Sequence, residues 1–240
     1  MKLNIFTSTI KDGILSKDKN YFPKLTKEEI NAIYEVNINR FLSKYNLDYK
    51  KTIILNDKNS KMSSRVVTEN NSKSKDKILI LKETTKNIPV LVETDDDPVI
   101  VASATTDNEE QVAVIGKASI DNLNNNLIHE MTEILMKETD KATFEMTFYI
   151  GPCPSKENYI IKDKSILKHK LFDKAIEEKD NKIYLDLRYA IFHELYLEIV
   201  DPNSIYFDST DTVTSPKYFS TLGKKLGKHV TCVVFTDEEV

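Results

Sequence analysis

Residues 78–115 read ILILKETTKNIPVLVETDDDPVIVASATTDNEEQVAVI, and this stretch determines the fold class. It contains apolar runs of strand length that are separated by polar turns. The runs cover residues 78–81, 88–92, 98–102 and 111–115. Because they are apolar throughout and do not alternate, we expect sheet strands that are covered on both faces.

The segments on either side of this stretch predict further helices and strands. Thr26 and Glu29 form a capping box at the start of an amphipathic helix that should end near Asn46. Apolar residues from Leu123 to Leu135 recur at helical spacing and predict a second helix. Other helices are predicted at residues 165–178 and 187–200, and other strands at 3–7, 52–55, 144–150, 183–185, near 205 and at 229–235.

Helices and strands alternate to the end of the chain, without an internal repeat or a long low-complexity tract. The polar stretch 56–77 is rich in Lys, Ser and Asn, and we expect a surface excursion there because it is too short for a domain linker. The pattern therefore predicts one α/β (α+β) domain over residues 1–240, with two sheets or one large mixed sheet.

The charge balance argues against two classes of partner. The chain has 34 basic and 38 acidic residues, and its net charge of −4 provides no broad attraction to nucleic acid or to anionic lipid. Residues 1–10 resemble neither a signal peptide nor a membrane span. Cys153 and Cys232 are far apart in sequence and form no CxxC motif, which indicates a reducing compartment. We expect a cytoplasmic protein without nucleic-acid or membrane partners.

Common catalytic motifs are missing. The five glycines, at positions 13, 116, 151, 223 and 227, form no phosphate-binding loop. His129 is followed by Glu130, but position 133 is Glu, so there is no HExxH zinc motif. We expect His129 on a helix surface, and His193 as a hydrogen-bonded residue of an apolar helix rather than a catalyst.

Two features of the sequence could support ligand binding or catalysis, but the sequence does not decide whether they do. Asp95, Asp96 and Asp97 precede an apolar strand, where carboxylates could meet a ligand or a hard cation such as Mg²⁺ or Ca²⁺. They could equally form a solvated turn in which Asp side chains cap backbone amides. Cys153 lies between two prolines, but a reactive thiolate needs a neighbouring cation or helix N-terminus, which the sequence does not reveal.

A resemblance to a known family emerges from motifs that occur in the same order. Gly151, Pro152 and Cys153, followed by Tyr159, resemble the "GPCI…YEV" stretch of the laccase-domain, or YfiH-type, family. Further segments resemble family motifs at 95–100 ("ADCLPVL"), 112–115 (the strand before "HAGWRG"), 185–187 ("DL"), 208–210 ("CT"), 219–220 ("FSYRR") and 227–228 ("GR").

The resemblance implies a four-layer α/β/β/α arrangement with mixed sheets. It also implies a zinc-dependent purine nucleoside phosphorylase with adenosine deaminase activity, of a family formerly described as polyphenol oxidases. In that family the zinc ligands are two histidines and one cysteine. Aligned on Pro98, the cysteine falls on Asp96, one histidine falls on Gly116, and the other falls near residues 59–60.

The family's Trp and Arg are likewise replaced, by Ser119 and Ile120, and its "YRR" pair by residues 222–223. No histidine precedes His129, so a shifted alignment cannot restore a ligand in that half of the chain. We therefore predict no metal ligands and no cofactor.

Two functional hypotheses follow. The first is a catalytically degenerate member that acts by binding, with a purine nucleoside as the implied small-molecule ligand. The alternative is an active purine nucleoside phosphorylase or adenosine deaminase-like enzyme with a rebuilt site. In the active alternative the candidate catalytic residues are Asp96 and Cys153, and the candidate substrate-binding residues are Asp95, Asp97, Gly116 and Ser119. The resemblance requires Asp96, Gly116 and Cys153 to lie around one pocket.

Overall fold

The structure is a computed structural model that describes residues 1–55, 61–68 and 75–237. In this part of the chain the α-helices are α1 (Lys27–Ser43), α2 (Ile120–Asn124), α3 (Leu127–Thr139) and α4 (Leu187–Leu197). The strands are β1 (Lys2–Thr7), β2 (Ile53–Leu55), β3 (Ser64–Val66), β4 (Ile78–Lys82), β5 (Val90–Thr94), β6 (Val99–Thr105), β7 (Gln111–Lys117), β8 (Thr147–Ile150), β9 (Ile160–Ile161), β10 (Ile176–Lys179), β11 (Lys182–Leu185), β12 (Ile205–Phe207) and β13 (His229–Thr236).

These strands form three sheets. A four-stranded sheet has the order β1-β13-β5-β2, and a six-stranded sheet has the order β12-β8-β6-β7-β4-β3. A small antiparallel sheet has the order β10-β11-β9. The two larger sheets are mixed, because β2, β3 and β12 each run parallel to their neighbour while the other pairings are antiparallel. The predicted mixed α/β fold is confirmed.

The apolar core divides the molecule into four layers. Leu91 and Val230 of the four-stranded sheet pack against α1, while Val92 and Val233 on the opposite face pack against the six-stranded sheet. The outer face of the six-stranded sheet is covered by α3 and α4. Both faces of both sheets are therefore buried, which explains the continuous apolar runs in the sequence.

Helix α1 begins as the sequence predicts. Thr26 Oγ1 accepts from the backbone N–H of Glu29 at 3.3 Å, and the Glu29 carboxylate accepts from the N–H of Thr26 at 2.7 Å. These two bonds satisfy donors that the first helical turn leaves free. The buried face of the helix consists of Ile30, Tyr34, Ile38, Phe41 and Leu42.

The predicted helix at residues 165–178 is wrong. The segment contains two short 3-10 turns, Lys164–Ile166 and Lys170–Phe172, before strand β10. The side chains of Asp163 and His169 accept hydrogen bonds from the N–H groups of the residues two positions later in the chain. Such local bonds give the backbone an alternative to helical hydrogen bonding. Strand β10 then pairs with β11, and tertiary pairing overrides the local helical pattern.

Other boundaries differ in smaller ways. The helix predicted from Leu123 to Leu135 is interrupted between α2 and α3, where Asn126 adopts a left-handed conformation with φ 60°. The strand predicted at 144–150 begins only at Thr147, after a 3-10 turn. The predicted excursion at 56–77 includes strand β3, but its residues 56–60 and 69–74 lie outside the described part of the chain. Within the described ranges, no helix combines the length and apolar character needed to cross a membrane.

Candidate functional site

The turn at Asp95–Asp97 connects β5 to β6 and is covered by residues 211–225, here called the 211–225 loop. Asp96 is 7% exposed, and its Oδ1 accepts from the hydroxyls of Thr212 and Ser220, both at 2.7 Å. Its Oδ2 accepts from the backbone N–H of Leu222 at 2.9 Å. Both oxygens of the carboxylate are therefore engaged by a segment more than a hundred positions away in sequence.

The neighbouring aspartates also belong to this turn. Asp95 accepts from the Thr221 hydroxyl at 2.6 Å, on the exposed side. The Thr94 hydroxyl donates to the backbone carbonyl of Asp97, which closes the turn. The Asp96 carboxylate is buried and accepts from two hydroxyls and one N–H of a distant segment, so the turn differs from the solvated, amide-capping turn that the sequence left open as an alternative.

Cys153 contacts the start of the 211–225 loop. The backbone of Cys153 forms an isolated parallel bridge with Asp211, and its carbonyl accepts from the N–H of Thr212 at 3.4 Å. Thr212 thus connects Asp96 with Cys153, so the structure brings these two predicted residues together. Burial raises the pKa of the Cys153 thiol to about 11, although the guanidinium of Arg188 beside it lowers the pKa. The thiol is neutral at physiological pH.

Asp211 anchors the start of the same loop. Burial raises its pKa, but hydrogen bonds outweigh this effect and hold the pKa below its ordinary value. The donors to its carboxylate are Ser155 N–H (3.2 Å), Ser155 Oγ (3.4 Å), Asn158 Nδ2 (2.7 Å), Val213 N–H (3.0 Å) and Thr214 Oγ1 (2.8 Å). The ionised Asp211 therefore ties the segment after β8 to the 211–225 loop.

Gly116 and Ser119 have different surroundings. Gly116 pairs with Ile100 in the six-stranded sheet, and its Cα faces Leu127 and Met131 of α3. Ser119 is the N-cap of α2, where its Oγ accepts from the N–H of Asn122 at 3.2 Å. Among the described residues, no hydrogen bond joins Gly116 or Ser119 to Asp96 or Cys153.

Replacing Gly116 by Ala should lower the free energy of unfolding by about 1–2 kcal/mol. An added Cβ would lie 3.0 Å from Leu127 Cδ1 and 3.1 Å from Met131 Sδ, so α3 must shift slightly to accommodate it. Urea unfolding measures the change. Gly151→Ala is the matched control, because its Cβ would meet nothing closer than 3.4 Å. Equal losses in the two variants would contradict close packing of Gly116 under α3.

Three of the histidines have ordinary structural contacts. His129 Nδ1 lies 3.0 Å from Glu198 Oε1, and this hydrogen bond raises the pKa of the exposed imidazole. The ring of His193 stacks on Tyr189 with 5.8 Å between the centroids, and His169 caps a 3-10 turn through its Nδ1. His129 therefore lies on a helix surface, as expected, and the contact recorded for His193 is a ring stack rather than the expected hydrogen bond.

His229 is the exception. It opens β13 and is fully buried, and neither ring nitrogen has a hydrogen-bond partner in the described part of the chain. Tyr218 lies beside it, with 5.0 Å between the ring centroids. Burial lowers the pKa of His229 to about 4, against the opposing influence of Asp95. The imidazole is therefore neutral at physiological pH.

Two of the three positions at which the resemblance implies zinc ligands, Asp96 and Gly116, lie in the described part of the chain. The oxygens of Asp96 are already engaged, and Gly116 offers no side-chain donor. The third position, near residues 59–60, lies outside the described part. Among residues 1–55, 61–68 and 75–237, no group of three or more His, Cys, Asp or Glu side chains could hold a metal ion.

Sequence reasoning missed Arg188 and His229. Arg188 Nη2 donates to the carbonyls of Cys153 at 3.0 Å and Thr210 at 2.8 Å. The sequence offered one signal for Arg188, its position directly after the "DL" pair. Its partners, Cys153 and Thr210, are distant from it in sequence. His229 was visible only as a polar residue at the start of an apolar strand.

The family model described as multi-copper polyphenol oxidoreductase laccase matches residues 27–236. No curated protein matches the sequence significantly.

Solved structures with the same fold include three bacterial proteins. The hypothetical protein YfiH of Bacillus licheniformis is 15% identical, with a TM-score of 0.72 over 85% of this chain and 82% of that chain. YlmD from Geobacillus stearothermophilus is 14% identical, with a TM-score of 0.72 over 85% and 80% of the respective chains. A Neisseria meningitidis protein of the DUF152 family model is 14% identical, with a TM-score of 0.70 over 97% and 93%. At these identities the likeness establishes the fold alone.

Proposed function

Because this chain belongs to the multi-copper polyphenol oxidoreductase laccase family, it has the fold of a family of enzymes, and we propose that it acts by binding a small molecule without the family's metal chemistry. The observation that carries the proposal is the engagement of Asp96. Its two carboxylate oxygens accept three hydrogen bonds from the 211–225 loop, at the position where the family resemblance implies a metal-binding cysteine.

The donor chemistry around this position supports the proposal. Zinc sites combine cysteine and histidine with occasional carboxylates, and copper sites use histidine together with cysteine or methionine, whereas Asp96 offers only a carboxylate that is already hydrogen-bonded. The histidines that the chain does contain lie on other elements, in a helix cap, a ring stack, an ion pair and the buried start of β13. We therefore derive no catalytic step that depends on either metal.

The state of Cys153 argues against a metal-free covalent mechanism. A nucleophilic cysteine needs its thiolate, and the thiolate is the form that burial disfavours at this position. The thiol is also fully buried, so a substrate cannot reach it without displacement of the surrounding chain. In this proposal both Asp96 and Cys153 are structural residues of the 211–225 loop and its neighbours.

Purine nucleosides are the ligand class that the family resemblance implies, and they are the first small molecules to test. The cytoplasm is the proposed compartment, because Cys153 and Cys232 are both buried and free.

The test combines turnover, metal content and binding on one preparation. Purified protein is incubated with adenosine or inosine and phosphate, release of base is followed by chromatography, and bound metal is measured on the same sample. We expect neither base release nor stoichiometric metal, because neither a metal-binding donor set nor a thiolate is available. Calorimetry with the same nucleosides then measures binding separately from turnover.

The active-enzyme alternative makes the opposite prediction. Base release that depends on added zinc or copper would contradict the proposal directly. Metal-independent release that disappears in Cys153→Ser would establish a rebuilt catalytic site. Cys232→Ser is the matched control, since Cys232 is equally buried but lies in the interior of β13, between α1 and the four-stranded sheet.

A further inference from the structure

An open groove of about 410 Å³ lies at the N-terminus of α4. Its apolar wall consists of the rings of Tyr189, Phe192 and Phe207. Its polar lining consists of Ser155, Lys156, Glu157, Asp186 and Arg188. A concave surface with aromatic walls and a few polar groups is typical of small-molecule sites.

Arg188 is the polar residue of the groove whose guanidinium still has donors available to a ligand. Its Nη2 is held between the carbonyls of Cys153 and Thr210, which fixes the plane of the guanidinium. No carboxylate of the described residues forms an ion pair with it, and its buried Nε has no hydrogen-bond acceptor there. The positive charge is thus oriented by neutral carbonyls and lacks an anionic partner, and guanidinium groups favour carboxylate and phosphate in that role.

The other charged groups of the groove are already engaged or exposed. Lys156 Nζ pairs with Glu177 at 2.5 Å. Asp186 is the N-cap of α4 and accepts from the N–H of Tyr189 at 2.9 Å. Glu157 is exposed and makes no ion pair with Arg188. The partial positive charge at the N-terminus of α4, an eleven-residue helix, is offset by the capping carboxylate of Asp186, so Arg188 remains the cationic group available to a ligand.

We propose that this groove binds a small aromatic anion, whose carboxylate or phosphate contacts Arg188 while its ring packs on Tyr189, Phe192 and Phe207. The inference rests on the proposed binding function and gives it a site and a ligand chemistry. It differs from the region that the sequence predicted, since none of Asp95, Asp96, Asp97, Gly116 and Ser119 lines the groove.

The experiment titrates the full chain with benzoate and phenyl phosphate, monitored by amide shifts in ¹H–¹⁵N NMR spectra. Benzamide, which has the ring without the charge, and acetate, which has the charge without the ring, are the ligand controls. We expect the better of the two aromatic anions to bind at least about tenfold more tightly than benzamide, because charge-assisted hydrogen bonds dominate. Which of the two binds more tightly identifies the anionic group.

Variants separate the contributions of the groove. Arg188→Gln should weaken binding of the preferred anion about tenfold or more, and Arg40→Gln, an exposed arginine of α1, should leave it unchanged. Tyr189→Ser should weaken the aromatic anions but not acetate. Glu157→Gln should tighten binding by about twofold to threefold, because it removes a like charge from the groove.

If Arg188→Gln unfolds through loss of its bonds to Cys153 and Thr210, Tyr189→Ser and Glu157→Gln still decide the question. Equal affinity of wild type and all three groove variants, or no shifts around the groove with either anion, would overturn the inference. That failure would leave the proposed metal-independent function standing, because turnover and metal content test it separately.

Discussion

Replacing Asp96 by Ala should lower the free energy of unfolding by about 3–5 kcal/mol. The substitution leaves the hydroxyls of Thr212 and Ser220 and the N–H of Leu222 without their acceptor. The two hydroxyl bonds are buried, and each donor left unpaired in the interior costs about 1–3 kcal/mol. The 211–225 loop should therefore detach locally or the whole domain should unfold more readily.

Urea unfolding followed by circular dichroism measures this loss, and amide hydrogen exchange locates it. Asp95→Ala is the matched control on the adjacent residue, since the side-chain hydrogen bond that it loses comes from the exposed Thr221 hydroxyl, which water can replace. We expect a loss below about 1 kcal/mol there. A loss in Asp96→Ala as small as in the control would show that the carboxylate does not hold the loop and would reopen a catalytic role.

Acidification from pH 7 to pH 5 should destabilise the protein by about 2 kcal/mol through His229 alone. The pKa of this imidazole is lowered to about 4 in the folded chain from 6.5 in the unfolded chain. Below pH 6.5 the unfolded chain therefore binds a proton that the folded chain does not bind. The stability contribution is present above pH 6.5, and it falls progressively as the pH decreases towards 4.

The measurement compares urea unfolding of wild type and His229→Leu at several pH values. The carboxylates titrate in both proteins, so the difference between their free energies of unfolding at each pH isolates the contribution of His229. At pH 7 the variant should be nearly as stable as wild type or more stable, because it removes a buried imidazole without hydrogen-bond partners. His129→Leu is the contrasting control: Glu198 raises the pKa of this exposed histidine, so its smaller contribution is lost as the pH rises. Parallel pH profiles for wild type and His229→Leu would contradict the burial of a neutral imidazole.

Local patterns predicted the elements that depend on nearby residues. The capping box of Thr26 and Glu29 involves positions three apart, and it forms as expected. The apolar runs at residues 78–115 became β4 to β7, with ends shifted by a few residues. The helix predicted at 165–178 failed, because Asp163 and His169 bond the backbone locally and β11 offers a pairing partner.

The sequence by itself determined the mixed α/β class and the lack of a histidine before His129, while the layered arrangement was implied only by the family resemblance. Only the tertiary structure decided that Asp96 accepts a hydrogen bond from Thr212 and that Arg188 donates to the carbonyl of Cys153. Helical and strand periodicities are set by neighbours within about four residues, so a single sequence displays them. The hydrogen bond between Asp96 and Thr212 joins residues 116 positions apart, and such a pairing exists only after the sheets have packed and the loop has closed over them.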